Sequence, residues 1–369
     1  FGFSIRTLRY MLISLLFMLL ALLSKQGPVM LPAILLLLDY WPLGRIEVSF
    51  RAPRKTLLMA MRLIMEKTPY FVLSGIGVFF AFYGKTDFGV LDRNTLTSPI
   101  ENIGFAMTAY LRYLGHMAYP FNYIMAYSKS VERFPSWTPY AAGALLLAFT
   151  IFALAQYQRR PYLLVGWGWF CLFLLPVSGL VRYATESIAL RYLYAPGAGL
   201  YLLVAFALYE LFERLGHGRT TPPFLQSTTA PKQYWAATGA ITILLAACCY
   251  WQSGFWRDSE TLAWRAMAVT KNRNAMAHNH LGVIRERQGL QNQAFAHFQA
   301  STQLDPTSRT YRYNYAIALS KRDRYQEVIE LLEPIMPANS EYVPVLTLYG
   351  VALAGLDRIN EAMPYFERS

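Results

Sequence analysis

Charge is scarce in this sequence. Only 15% of its 369 residues are Asp, Glu, Lys or Arg, while 55% are hydrophobic. That balance is too apolar for an ordinary soluble domain, and the sequence is too varied for low complexity. Cysteine is scarcer still. Cys171, Cys248 and Cys249 all fall inside apolar runs, with no Cys-x-x-Cys and no metal-type spacing, so a disulfide framework and a zinc module are excluded and the three read as small packing residues. No targeting segment is recognisable. The chain starts at Phe1 just ahead of a hydrophobic run and stops at Ser369 inside a repeat, so further chain is expected on both sides.

What the sequence does have is long apolar runs, and they stop near residue 252. Candidate membrane spans lie near 9–24, 28–44, 68–84, 137–157, 162–180, 189–211 and 234–252. A crossing needs roughly 20 apolar residues for about 30 Å of hydrocarbon, so the first three are short. Pro28 and Pro32 open the second, which leaves a re-entrant hairpin open as an alternative to two crossings. The sequence therefore divides into a membrane part, 1–252, and a polar, helix-periodic part, 253–369.

Basic residues orient the spans. The expected loop 45–67 carries Arg45, Arg51, Arg54, Lys55, Arg62 and Lys67 against two acids, which places it in the cytoplasm, as in a bacterial inner-membrane protein of multi-pass topology. Alternation then puts the stretch 85–136 and everything after 252 on the extracytoplasmic side. The net charge of +12 does not indicate nucleic acid: residues 253–369 hold 13 Lys/Arg against 12 Asp/Glu, so the excess sits in the membrane part, where orientation and anionic lipid account for it.

The polar part repeats. Leu281, Gly282, Ala294, Phe298 and Pro306 stand at the positions that a 34-residue tetratricopeptide repeat (TPR) reserves for groove-filling and small residues. One period later come Tyr315, Ala316, Val328 and Leu332, and after another Tyr349, Gly350, Ala362 and Phe366. Trp264, one period before Phe298, marks 260–271 as a lone second helix capping the stack. The expected fold is thus all-α: a polytopic transmembrane helical bundle followed by a C-terminal TPR α-solenoid of about three copies. Such arrays bind peptides or partner helices. Arg285, Tyr311 and Arg312 either line that groove or face solvent. His278, His280 and His297 are not read as a metal site, because no carboxylate or cysteine completes a ligand set.

Several segments carry a family resemblance: Leu23-Ser-Lys-Gln-Gly-Pro-Val-Met-Leu-Pro32, Asp39-Tyr-Trp-Pro-Leu-Gly-Arg45, Ala109-Tyr-Leu-Arg-Tyr113, Leu190-Arg-Tyr-Leu-Tyr-Ala-Pro196 and Trp256-Arg-Asp-Ser-Glu-Thr-Leu262. They resemble bacterial membrane proteins that join a GT-C-type glycosyltransferase-like core to extracytoplasmic TPRs, relatives of the TMTC and protein O-mannosyltransferase group. The resemblance implies transfer of a sugar from a polyprenyl-phosphate carrier to a protein acceptor, with a divalent metal or cationic side chains on the leaving phosphate. The family's catalytic acid lies in a first extracytoplasmic loop upstream of this chain. No catalytic base is therefore assigned, and Asp87, Asp92 and Glu101 do not inherit the role.

The same resemblance makes Arg191 and Tyr192 candidates for gripping the carrier phosphate, with Lys25, Arg182 and Arg112 as further cations. Each has a plainer reading as an interfacial anchor. Leu190 stands where relatives carry Asp, and Glu186 is the substitute considered. Residues 99–118 predict an amphipathic helix at the membrane surface with Ile103, Met107, Tyr110, Leu111 and Leu114 on one side. Two functions stay open: the glycosyltransferase, and a non-catalytic scaffold recruiting proteins through its repeats. A transporter is a third, disfavoured because the spans read as lacking an intramembrane acid. The expected partners are membrane lipid and a protein in the repeat groove.

Overall fold

The computed structural model describes residues 5–24, 27–46, 48, 53–87, 99–124, 135–180, 189–217, 232–336 and 343–369. Among these, all regular structure is helical. The chain divides into two compact units: residues 1–120, 135–185 and 189–248 form the first, and 121–134, 186–188 and 249–369 the second.

The first unit holds α1 (Ile5–Ser24), α2 (Leu31–Tyr40), α3 (Pro53–Asp87), α4 (Pro99–Ala118), α5 (Thr138–Ala155), α6 (Pro161–Leu174), α7 (Tyr194–His217) and most of α8 (Lys232–Ser253). Among the described residues, four stretches are long and apolar enough to cross a membrane: Pro53–Phe80, Thr138–Ala155, Leu190–Leu215 and Lys232–Trp256. The other three expected spans form shorter apolar helices, Leu8–Ser24, Gly27–Tyr40 and Pro161–Val177. Large apolar side chains point outward, such as Phe17, Phe79, Leu147 and Ile243, the last 72% exposed. A water-soluble protein would not sustain so much exposed apolar surface.

One expectation is corrected here. The basic segment 45–67 is a connector only in its first part, because α3 begins at Pro53 and carries Arg54, Lys55, Arg62 and Lys67. Proline favours the first helical position, and Arg and Lys are good helix formers, so charge does not end the helix. Pro69, near the expected start of the span, sits in the helix interior.

α6 is the central helix of this unit: Tyr162, Leu163, Val165, Trp167, Phe170 and Leu174 are all buried. It crosses α7 at glycine. A Cβ on Gly166 would stand 2.5 Å from the Gly199 carbonyl oxygen, and a Cβ on Gly199 would stand 2.5 Å from that of Gly166. Small residues let helices meet at backbone distance, the usual device where no water drives association.

The second unit is a row of helices, each packed on its sequence neighbour: α9 (Ser259–Val269), α10 (Ala275–Arg287), α11 (Gln291–Leu304), α12 (Arg309–Ser320), α13 (Tyr325–Leu332), α14 (Val343–Gly355) and α15 (Ile359–Glu367). The starts of α10, α12 and α14 are 34 residues apart, and so are those of α11, α13 and α15. The turn inside each pair contains one residue of left-handed backbone, Gly289 (φ 78°), Asp323 (φ 56°) and Asp357 (φ 61°), again one period apart. Gly and Asp are among the residues that tolerate this region. Ala316, Leu319, Val328, Leu332, Val345, Ala352, Leu353 and Ala362 form one core through α12–α15.

Candidate functional site: the α4 end of the first unit

The helix expected at 99–118 forms as α4, and it packs through small residues beside the expected apolar side as well as through Met107 and Tyr110 of that side. Ala106, Thr108, Ala109 and Tyr113 are buried, while Ile103 is 45% exposed. Small residues win the inner face because they allow close approach: a Cβ on Gly104 would lie 3.2 Å from Pro139, and one on Gly143 would reach the Met107 sulfur at 2.7 Å.

This packing lays α4 against three helix ends. It meets the start of α5 through Gly143 and the end of α6 through Tyr110, whose hydroxyl donates to the Cys171 carbonyl at 2.6 Å. It meets the entry to α7 through Tyr113, whose hydroxyl donates to the Ala189 carbonyl at 3.2 Å and accepts from the Ala189 N–H at 3.3 Å. A Cβ on Gly197 would stand 3.6 Å from the Met117 methyl.

Two of the cationic candidates come to this end. Arg112 is the neighbour of Tyr113 on α4 and is half-buried. Arg191 is exposed in the 3-10 turn Leu190–Leu193 that leads from Ala189 into α7, its guanidinium 5.2 Å from the centre of the Tyr192 ring. His116 lies one turn beyond Arg112, and burial, followed by the Arg112 charge, pulls it down to about 4. It is therefore neutral at physiological pH, and the positive charge here belongs to the arginines. Lys25, Arg182 and Glu186 lie outside the described residues, as does Asp92, and the side chain of Asp87 does too.

The opposite end of the unit holds ionic clusters that sequence reasoning missed. Asp39 at the end of α2 is 1% exposed and ion-pairs with Lys67 of α3, itself 5% exposed. Arg45 bridges Asp39 at 2.8 Å and Glu66 at 2.5 Å. Glu210 of α7 accepts from Arg160 at 2.8 Å and from the Tyr162 hydroxyl at 2.6 Å, and also pairs with Arg214. Between the two clusters, the Trp41 ring meets Phe206 edge-on at 5.0 Å and Tyr162 stacks on Phe206 at 5.7 Å. The expectation of spans without acids is thereby corrected, since Glu66 and Glu210 both sit within candidate spans. Their signal was a carboxylate inside or at the edge of an apolar run, Asp39 after Leu35–Leu38 and Glu210 after Phe206–Tyr209. Each charge has an opposite partner, as buried charges require, so these clusters fasten α2 to α3 and α6 to α7.

In the second unit the residues read as repeat positions differ in burial: Phe366 is 39% exposed and Pro306 is exposed. Leu281, Ala294, Phe298, Ala316, Leu332 and Ala362 are almost completely buried. A Cβ on Gly350 would stand 2.9 Å from the Phe366 ring. Tyr349 packs on Tyr365 at 4.9 Å and Tyr315 on Phe295 at 5.3 Å. Pro306 offers its carbonyl to Arg312 at 2.5 Å. Arg312 also donates to the Leu331 carbonyl, and Arg285 is held by Glu260 at 2.7 Å, so these arginines serve helix contacts.

No protein-family model matches the chain, and no curated protein does either.

Proposed function

We propose that the first unit binds a polyprenyl-phosphate-linked sugar at its α4 end on the extracytoplasmic side of a bacterial inner membrane. There it serves a GT-C-type transfer to a protein acceptor held by a TPR solenoid in the second unit. The observation that carries the reading is the Tyr113–Ala189 junction, which fixes α4 to the entry of α7 and sets Arg112 and Arg191 at the same end of one helical unit. A phosphate at a membrane boundary is bound best by guanidinium groups, which offer paired donors and stay charged. The second unit supports its half of the reading through the 34-residue spacing of its helix starts and the glycine-to-phenylalanine contacts inside its pairs.

The test is crosslinking of a photoactivatable polyprenyl-phosphate sugar to the full chain in nanodiscs, with glycan occupancy of co-purified proteins as the second readout. Arg112→Ala and Arg191→Ala should each reduce crosslinking, whereas Arg159→Ala, an exposed cation of the α5–α6 turn, should not. Equal crosslinking in all variants removes the lipid-phosphate reading.

The regular packing of the second unit favours a second reading, a scaffold that recruits proteins without chemistry. Unchanged glycans together with loss of specific partners on deletion of the repeats would select it.

A further inference from the structure

Apart from the α4 end and the ionic clusters, the second unit brings together two groups that neither half of the proposed function uses. His278 of α10 and His297 of α11 face each other with their Nδ1 atoms 3.1 Å apart. Their ring centres are 5.3 Å apart, nearly the N–N gap plus the two distances from centre to nitrogen. The two Nδ1 lone-pair axes therefore lie almost on one line. Without a metal, this is an N–H···N hydrogen bond between two neutral rings.

The rest of the pair's surroundings fixes which nitrogens face inward. The far nitrogen of His278, Nε2, is 3.2 Å from the Asn272 carbonyl. As donor to that carbonyl it leaves Nδ1 of His278 with a free lone pair, the arrangement by which proteins orient metal-binding imidazoles. Lys271 (φ 51°) and Asn272 (φ 61°) are consecutive left-handed residues, and their turn both ends α9 and presents this carbonyl. Trp264 stands edge-on to His297 at 6.1 Å. Glu260, the nearby carboxylate, is held by Arg285 at 2.7 Å and by Gln288, so its charge and that of Arg285 are mutually satisfied. Both rings are only half-buried, which leaves an entry path. Among the described residues, no group of three or more His, Cys, Asp or Glu could complete a higher-coordinate site.

We infer that His278 and His297 form a two-coordinate site for a soft monovalent cation, Cu(I), bound in line between the two Nδ1 atoms. The axis favours this ion over Zn(II). A tetrahedral ion must sit off the N–N line and needs two more ligands, whereas Cu(I) accepts two nitrogens in line. Metal–nitrogen bonds near 2 Å open the gap from 3.1 Å to about 4 Å, within reach of side-chain rotation at half-exposed positions. The proton of the metal-free N–H···N bond moves to Nε2 of His297, so both imidazoles remain neutral and no net proton is released.

The experiment uses the full chain in detergent carrying Cys171→Ser, Cys248→Ala and Cys249→Ser, which removes competing thiols including the buried Cys248. Cu(I) is titrated under reducing conditions against a colorimetric chelator, and the coordination is read from the X-ray absorption edge. The wild type should take up one equivalent with a linear two-nitrogen signature, and His278→Ala should weaken it by at least about tenfold. His297→Phe, which keeps a ring against Trp264, should do the same with its far-ultraviolet circular dichroism unchanged, so that loss of the site is separable from loss of the fold. Equal uptake by wild type and both variants overturns the assignment, as do a three- or four-coordinate edge spectrum or tighter binding of Zn(II) than of Cu(I).

Discussion

A Cβ placed on Gly282 would stand 2.6 Å from the ring of Phe298, sixteen residues along the chain in the partner helix of its pair. The Gly350–Phe366 contact repeats it two periods later. Between them, Ala316 packs with Leu332 in the same core. A methyl group is thus tolerated where an aliphatic side chain stands opposite and not where an aromatic ring does. Gly282→Ala should destabilise the second unit by about 1–3 kcal/mol, the usual range for overpacking. The double variant Gly282→Ala/Phe298→Leu should recover part of that. Thermal melts of the full chain in detergent, followed by circular dichroism, decide it; an unchanged melt for the single variant would contradict the packing.

Removing Lys67 takes away one of the two cations that hold the buried Asp39 carboxylate and leaves it with Arg45 at 2.8 Å. Lys67→Met is expected to cost less than the about 3–5 kcal/mol of a charge left wholly unpaired, because Arg45 remains, and Asp39→Leu/Lys67→Met should cost less again, because breaking a buried pair is worse than replacing it. The check is monodispersity and melting of the two variants in one detergent. Equal losses for both would show that the pair does not act as a unit.

Asp357 adopts φ 61°, a region that a β-branched side chain strongly resists. Asp357→Val should lower stability by about 1–2 kcal/mol. Asp357→Gly should stay within about 0.5 kcal/mol of wild type, because relief in the folded turn is offset by greater freedom of the unfolded chain. The contrast between the two melts is the readout, and similar melts would reject the role of backbone conformation.

The histidine pair makes the second unit sensitive to pH. Both folded-state values lie below the ordinary histidine value, mainly through burial. Below about pH 6.5 the unfolded chain therefore binds protons that the folded pair refuses, so stability is full above that value and falls as pH drops. Melting of the wild type should fall between pH 7.5 and 5.5, before most carboxylates titrate. His297→Phe should flatten this slope; an equally steep slope in the variant would assign the loss to other groups.

The helical character was legible in the sequence because both apolar spans and 3.6-residue periodicity leave marks within a few turns. The bounds of α4 were legible for the same reason, but not its inner face: Ala106, Ala109 and Tyr113 carry less apolar weight than Ile103 and Leu114, and close approach rather than hydropathy decided the packing. The start of α3 was hidden because its first turns are basic, and charge there was read as a loop. The Asp39 and Glu210 clusters were hidden because Lys67 and Arg160 come from segments distant in the chain, so that part of the compensation exists only in three dimensions. The His278–His297 meeting was equally invisible: the residues are nineteen apart, and their facing nitrogens depend on the α10–α11 turn.

The contact between Gly166 and Gly199 fixes the register of α6 on α7. Sliding either helix by a residue would drive a larger side chain into the backbone of the other, with Trp169 and Leu203 already bordering the crossing. α7 runs unbroken from Tyr194 to His217. From Ala189 the chain passes through the 3-10 turn Leu190–Leu193 into this one continuous helix, so the contact with α4 and the ion pairs around Glu210 lie at the two ends of a single element whose register Gly199 sets.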